Sequence, residues 1–159
     1  MLAATRLADG WALLFIIPFA VLHGGARGFA IVACGVVSAV VLALIVHGIK
    51  RVVRRGRPQV HGIDLARPIT APDEHAFPSG HTSQAFGMLV LLTWLWPVLA
   101  ILGGPIAVAV GISRVFFGLH YPSDVAAGAL LGVVVTLGVI LFARGTGLLE
   151  WLIRISPIS

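Results

Sequence analysis

The stretch from Gly28 to Ile49, GFAIVACGVVSAVVLALIVHGI, runs for 22 residues without a charged side chain. A helix of about 20 apolar residues is long enough to cross the hydrocarbon core of a bilayer. The stretch ends at the basic segment Lys50 to Pro58, KRVVRRGRP. It therefore predicts a transmembrane helix with a cluster of cations at one membrane surface.

The composition of the whole chain supports this interpretation. Hydrophobic residues make up 58% and charged residues 11% of the 159 residues, whereas about a quarter of the residues in soluble domains are charged. Because each span needs roughly 20 residues, the chain has room for at most five or six crossings and little else. We expect residues 1–159 to form a single integral membrane domain.

Three further spans follow from apolar length. They are Ser79 to Trp96, Pro97 to Phe117 and Val125 to Ala143, the first two separated by a Trp-Pro turn. The segment Trp11 to Leu22 is shorter and suits either a crossing or a tilted, re-entrant helix. The predicted fold is all-α, a polytopic transmembrane bundle of about five spans. The polar segment Gln59 to Phe77 is expected to form an irregular loop.

Three finer features of this bundle are predicted. Gly128 and Gly132 form a small-xxx-small pair, which permits two membrane helices to approach closely. Met1 to Gly10 is expected to lie in the membrane interface. The single cysteine, Cys34, lies in an apolar run, where we expect a small buried or lipid-facing residue.

Alternating helix directions bring three polar segments to one membrane face. These are Lys50 to Pro58, Pro78 to His81 (PSGH) and Ser113 to Asp124 (SRVFFGLHYPSD). Together they supply cations, two histidines, an aspartate and a serine beside a glycine. Such a set is suited to holding a phosphate group while an imidazole attacks phosphorus.

The first segment offers two candidate phosphate ligands. Lys50 and Arg57 are seven residues apart, so they project from nearly the same side if the helix continues to Pro58. Arg51, Arg54 and Arg55 are expected to contact lipid headgroups. The simpler alternative is that the whole cluster contacts headgroups.

The second segment has the composition of a helix start. Ser79 is a suitable N-cap, Gly80 permits close approach of a ligand to the backbone, and the helix N-terminus attracts anions. The alternative is an ordinary capped helix, with His81 as a polar residue at the interface.

The third segment combines a cation, a histidine and a carboxylate. Arg114 is suited to bidentate binding of phosphate oxygens. Asp124, four residues after His120, is expected to accept the imidazole N–H and make the other nitrogen more nucleophilic. The alternative is a helix-terminal arginine and an aspartate that stabilises a helix N-terminus.

In order and spacing, Lys-x6-Arg-Pro, Pro-Ser-Gly-His and Ser-Arg-x5-His-x3-Asp resemble the type 2 phosphatidic acid phosphatase superfamily. This group of lipid phosphatases is related to vanadium haloperoxidases. The resemblance implies that His120 is the nucleophile, that Asp124 orients it, and that His81 protonates the leaving oxygen. A phosphohistidine intermediate follows from these roles. The resemblance also implies five residues that hold the phosphoryl oxygens: Lys50, Arg57, Ser79, Gly80 and Arg114.

The expected function is hydrolysis of a lipid phosphate or pyrophosphate, of the undecaprenyl pyrophosphate, phosphatidylglycerophosphate or phosphatidate type. No cofactor or metal enters this scheme, because fixed cations and N–H dipoles stabilise the developing charge. A phosphotransferase of the same chemistry and a non-catalytic lipid-headgroup or anion-binding protein stay open. If the two histidines and the aspartate held a metal ion, the enzyme would lose activity in a chelator. A haloperoxidase is not expected, because the chain is too short and too apolar.

The net charge of +5 does not indicate a nucleic-acid partner, since five of the eleven Lys and Arg residues lie in Lys50 to Arg57. The expected partners are the bilayer and a lipid phosphate substrate. The expected location is the inner cell membrane, with the site open to the extracytoplasmic side as the resemblance implies. The sequence does not indicate an oligomeric state.

Overall fold

The computed structural model describes residues 12–58 and 74–157 of the chain. Within these ranges the secondary structure is entirely helical, which confirms the predicted all-α class. The helices are α1 (Ala12–Val53), α2 (Gly80–Leu95), α3 (Leu99–Phe116), α4 (Pro122–Gly145) and α5 (Leu148–Arg154). The segment Met1 to Gly10 and most of the polar loop after Pro58 lie outside the described residues.

Three of the helical segments are long and apolar enough to cross a membrane: Ala20–Val53, Leu99–Phe116 and Pro122–Gly145. Large apolar side chains on these segments point outwards, among them Leu44, Ile101 and Leu130. An apolar surface of this extent suits contact with lipid tails. The protein is thus a membrane helix bundle, while the crossing by Trp11 to Leu22 stays a prediction.

The short helix α2 lies at the centre of the bundle. It has 16 residues and packs against α1, α3 and α4. Its buried residues are mostly small, namely Thr82, Ser83 and Gly87 together with Leu91. Because neighbouring helices surround it, α2 can bury small polar side chains that would be unfavourable against lipid.

Close contact between α2 and α4 depends on the predicted glycine pair. A Cβ atom on Gly132 would overlap the carbonyl oxygen of Ser83, and one on Gly128 would lie 2.5 Å from the carbonyl oxygen of Ser79. Only glycine permits this approach of one backbone to the other. The expectation for Gly128 and Gly132 is confirmed.

Helix α1 is broken at Gly25, which has φ 52° and ψ −137°. This positive φ is accessible to glycine at little cost. A Cβ atom on Gly28 would overlap the carbonyl oxygen of Ala20. The part of α1 before Gly25 therefore lies against the start of the part that follows Gly25.

The other end of α1 differs from the prediction. The helix ends at Val53 and does not continue to Pro58, because Arg54 has φ 49° and turns the chain away from the helix axis. The Nε atom of Arg54 donates to the carbonyl oxygen of Arg51 at 2.9 Å, so one of the carbonyl groups at the end of the helix has a hydrogen-bond donor. Lys50 and Arg57 therefore do not lie on one helical face.

The apolar interior lies away from the polar motifs. Cys34 is buried in a cluster with Ile31, Leu91, Ile140 and Ala143, which confirms the expectation of a small buried residue. The short helix α5 was not predicted. It follows Gly147, whose φ of 72° turns the chain at the end of α4.

Candidate active site

The three polar segments meet at one end of the bundle, as predicted. Arg57 Nη1 donates to the carbonyl oxygen of Leu119 at 2.7 Å, which joins the first segment to the third. The backbone N–H of Ser79 donates to the carbonyl oxygen of Asp124 at 3.0 Å, which joins the second to the third. Residues far apart in sequence thus form one polar cluster.

The two cations of the first segment reach this cluster from different backbone positions. Lys50 lies in the last turn of α1, is buried, and donates from Nζ to the carbonyl oxygen of His75 at 3.0 Å. Arg57 lies in the non-helical segment beyond α1 and is half-buried. Both guanidinium and ammonium charges act on the imidazole of His120. The two residues therefore serve one site, although the helical spacing that suggested this was wrong.

The second segment forms the start of α2. Ser79 is the N-cap residue and is fully buried, and its Oγ lies 2.9 Å from Thr82 Oγ1. Gly80 and His81 occupy the first turn, where backbone N–H groups have no acceptor within the helix. His81 is half-buried. The positive end of α2 is therefore directed at the polar cluster.

His120 lies in the connection between α3 and α4, and 4% of its surface is exposed. Its Nδ1 lies 2.7 Å from the carbonyl oxygen of Ala76. Since a carbonyl oxygen only accepts, the neutral ring carries its hydrogen on Nδ1. The lone pair is then on Nε2, which leaves this nitrogen chemically able to act as a nucleophile.

The electrostatic surroundings keep this imidazole neutral. The pKa of His120 is lowered from 6.5 to about 4, mainly by burial and also by the positive charges of Arg57 and Lys50. The hydrogen bond to Ala76 and the charge of Asp124 act in the opposite direction. At neutral pH, His120 therefore holds an available lone pair.

Asp124 has different contacts from those expected. Its Oδ2 is 3.7 Å from Nδ1 of His120, too far for a hydrogen bond, and accepts the backbone N–H of Tyr121 at 2.8 Å. The acceptor for the imidazole is the carbonyl of Ala76, which no side-chain motif indicates. The expected imidazole-to-carboxylate hydrogen bond is therefore wrong, while an orienting role for Asp124 stays a prediction.

The contacts of Arg55 also differ from the prediction. Instead of extending to headgroups, its Nη1 donates to Asp124 Oδ1 and to Ser123 Oγ, both at 2.8 Å. Its guanidinium also lies over the ring of Tyr121, 4.1 Å from the centroid. Helical spacing did not indicate these contacts because Arg55 lies beyond the end of α1.

Arg114 lies in the last turn of α3 and is almost completely buried. Its Nε donates to Ser113 Oγ at 3.3 Å, and its backbone carbonyl accepts the N–H of His120 at 3.2 Å. The side chain adds a fixed positive charge to the interior of the site. Its use as a phosphate ligand stays a prediction.

The fold and this cluster define a membrane helix bundle with a cationic, histidine-containing site at one end. Residues 28–147 match the PAP2 superfamily, and the chain belongs to that family. Its structure is similar to a crystal structure of a transmembrane PAP2-type phosphatidylglycerolphosphate phosphatase from Bacillus subtilis. The TM-score is 0.66 at 25% identity, covering 91% of this chain and 75% of the other.

Sequence relatives cover different shares of the chain. Decaprenylphosphoryl-5-phosphoribose phosphatase of Mycobacterium tuberculosis is 34% identical over 87% of this chain and 73% of its own length. Phosphatidylglycerophosphatase B of Bacillus subtilis is 34% identical over 58% of this chain and 52% of its own. Bacitracin transport permease protein BcrC of Bacillus licheniformis is 52% identical, but over only 38% of this chain and 30% of its own.

Proposed function

We propose that this protein is a membrane lipid phosphatase that hydrolyses a lipid phosphate or pyrophosphate through a phosphohistidine on His120. The observation that carries the proposal is the state of that imidazole. It is buried among cations, neutral, and bound through Nδ1 to the carbonyl of Ala76 at 2.7 Å, so that Nε2 carries the lone pair. Membership of the PAP2 superfamily and the names of its relatives support the same activity.

The first step transfers the phosphoryl group. The Nε2 lone pair of His120 attacks phosphorus, and the bond from phosphorus to the lipid-side oxygen breaks with its electron pair on that oxygen. His81, protonated at the outset, gives its proton to this oxygen. Asp124 helps to keep the phosphorylated imidazole oriented. The phosphoryl oxygens are held by Lys50, Arg57, Ser79, Gly80 and Arg114.

The second step regenerates the enzyme. A water molecule attacks the phosphorus of the phosphohistidine, and the neutral His81 accepts a proton from that water. The N–P bond breaks and its electron pair returns to Nε2 of His120. Inorganic phosphate is released, and both histidines are back in their starting states.

A lipid substrate is supported by an apolar cavity next to the site. The cavity has a volume of about 220 Å³ and lies mainly between α1 and α2, from Gln84 and Leu42 towards Leu95. Gln84 is three residues after His81, which is a rise of about 4.5 Å along a helix. A lipid with its hydrocarbon tail in this cavity would have its phosphate head within about one helical turn of His81.

Relatives suggest which lipids to test. The relative that matches 87% of this chain is named for decaprenylphosphoryl-5-phosphoribose, and others are named for phosphatidylglycerophosphate and undecaprenyl diphosphate. We include both polyprenyl-linked and glycerol-linked phosphates in the proposed substrate class.

We also propose that the protein resides in the inner membrane with its site on the extracytoplasmic side. The family resemblance of the three motifs supports this orientation. Among the described residues, Arg27, Arg144 and Arg154 lie towards the end of the bundle opposite His120, and six cations lie at the site end. The positive-inside rule alone favours a cytoplasmic site, so the proposed orientation rests on the resemblance.

The decisive experiment measures phosphate release from purified protein in detergent, with and without a chelator. The substrates are a polyprenyl phosphate, a polyprenyl pyrophosphate, phosphatidate and phosphatidylglycerophosphate. We expect release from at least one substrate, loss of release in His120→Ala, and an acid-labile phosphoryl adduct on the wild-type protein. Absence of release from every lipid, or full activity in His120→Ala, would overturn the proposal. Loss of lipid phosphate without free phosphate would indicate a phosphotransferase.

The orientation has its own test. Cys34 is buried, so a single cysteine introduced at the exposed Arg51 provides a specific label site on the site face. We expect a membrane-impermeant maleimide to label it in intact cells. Labelling only after the membrane is opened would reverse the proposed orientation.

A further inference from the structure

Arg55 contacts the two residues that lie beside Nδ1 of the His120 imidazole, Ala76 and Asp124. The backbone carbonyl oxygen of Arg55 accepts the N–H of Ala76 at 2.8 Å. The carbonyl of the same Ala76 is the acceptor for Nδ1 of His120. Through its side chain, Arg55 donates to Asp124 Oδ1 at 2.8 Å, and the other oxygen of that carboxylate lies 3.7 Å from Nδ1.

These contacts differ from ordinary surface ion pairing. Asp124 has no solvent exposure, whereas the side chain of Arg55 is 37% exposed. A buried carboxylate is strongly unfavourable without a nearby positive charge or hydrogen-bond donors. Arg55 Nη1, 2.8 Å from Asp124 Oδ1, supplies a positive charge directly beside this carboxylate, whereas the neighbouring His120 is neutral. The additional bond to Ser123 and the position over the Tyr121 ring restrict the guanidinium to one geometry.

We propose that Arg55 is a positioning residue, which holds Asp124 and Ala76 in place around Nδ1 of His120 and so keeps the imidazole neutral and correctly oriented. It acts through these two residues and does not contact the substrate. While Arg55 binds Oδ1, the Asp124 charge is compensated and the imidazole hydrogen is directed at the Ala76 carbonyl. This inference is independent of which lipid is hydrolysed, although its kinetic test rests on the proposed phosphatase activity.

Removal of the guanidinium is expected to shift this balance. The carboxylate of Asp124 then lacks its partner and moves towards His120, where it stabilises the protonated imidazole. A protonated His120 is no longer nucleophilic. The charged and titratable groups on the surrounding elements include Lys50 on α1, Arg55 and Arg57 beyond it, Glu74 and His75 before α2, His81 on α2, Arg114 on α3, and Tyr121 and Asp124 at the start of α4. All of these groups other than Arg55 are kept in the variants below, so a shift in the pKa of His120 can be assigned to the loss of the Arg55 guanidinium.

The test compares Arg55→Gln with Arg51→Gln. Arg51 is an exposed arginine in the last turn of α1, so its substitution removes the same charge without touching Asp124. In Arg55→Gln we expect the acidic limb of kcat/KM to move to higher pH by about one pH unit or more. Arg51→Gln should retain the wild-type profile. Arg55→Lys keeps the charge but loses the planar fork, so it should restore the position of the limb with a lower rate.

A second measurement does not depend on turnover. The pKa of the His120 ring is followed by NMR in detergent, using nitrogen-labelled histidine and His120→Ala to assign the signal. We expect a higher pKa in Arg55→Gln than in wild type and Arg51→Gln. An unchanged pKa and pH profile in folded Arg55→Gln would overturn the inference, even if that variant were less heat-stable or less active. Failure of the wild-type protein to release phosphate would instead count against the proposed function and leave the NMR comparison valid.

Discussion

At the residue scale, the main feature is a histidine whose pKa is far below its ordinary value. Burial is the largest cause, and the charge of Arg57 is the next. Because the folded state favours neutral His120, the proposed nucleophile has its lone pair above a pH of about 4 and loses it as the pH falls through that value. An unperturbed histidine, with a pKa near 6.5, would lose its lone pair at a much higher pH.

A first prediction concerns Arg57. Replacing it with Gln removes a positive charge near the imidazole, so the pKa of His120 should rise and the acidic limb of kcat/KM should move to higher pH. Each profile is normalised to its own plateau and measured with the same substrate, so substrate titration affects both proteins equally. Coincident limbs for wild type and Arg57→Gln would contradict the electrostatic role of Arg57.

A second prediction concerns the proposed proton donor. The leaving group from a lipid monophosphate is a lipid alkoxide that needs a proton, whereas the leaving group from a lipid pyrophosphate is a lipid phosphate, a more stable anion. We expect His81→Asn to reduce kcat/KM more for the monophosphate, by about tenfold for each 1.4 kcal/mol of lost transition-state stabilisation. Both substrates are assayed on the same protein preparation. Equal losses would assign His81 to phosphate binding instead of proton transfer.

At the element scale, the contact between α2 and α4 positions the site. Helix α2 carries Ser79, Gly80 and His81 at its start, and α4 carries Asp124 in its first turn. The glycine contacts at Gly128 and Gly132 bring these two helix starts together. A shift of either helix would therefore change the distance between the second and third motifs.

A third prediction follows for Gly132→Ala. Its new Cβ overlaps the carbonyl oxygen of Ser83, a backbone atom that cannot move alone. We expect a lower melting temperature, corresponding to about 1–3 kcal/mol for overpacking, together with reduced activity. The control is Gly138→Ala on the same helix, where a Cβ meets nothing within 4 Å. Equal stability of the two variants would show that the close helix contact is not required.

At the scale of the whole molecule, the site and the apolar cavity are arranged along the bundle. The polar cluster lies at one end, and the cavity begins within one turn of His81 and runs between α1 and α2. This arrangement suits a substrate with a phosphate head and a hydrocarbon tail.

A fourth prediction tests the cavity. Ala39 lines it, so Ala39→Phe should fill part of the volume and reduce kcat/KM for long-chain lipid phosphates. The loss should be small for a short-chain, water-soluble phosphate, because its phosphate contacts are unchanged. Val134→Phe provides the control, since Val134 is exposed on the surface of α4. Equal losses for long-chain and short-chain substrates in Ala39→Phe would place the lipid tail elsewhere.

The sequence determined the helical membrane class, the three motifs and their meeting at one face. These follow from apolar length and from motif spacing, which are local properties of the chain. The close helix contact at Gly128 and Gly132 was also predictable, because residue size alone indicates it. For Cys34 the sequence left a buried and a lipid-facing position open, and the structure shows the buried one.

The surroundings of His120, in contrast, follow from the way distant segments pack in the folded chain. Its acceptor is the backbone carbonyl of Ala76, and any residue type supplies a carbonyl, so no sequence pattern marks it. Arg55 pairs with Asp124 because the chain turns at Arg54, where a non-glycine residue adopts a positive φ that local sequence preferences do not predict. Contacts of this kind depend on where distant segments pack, and that placement is a property of the whole fold.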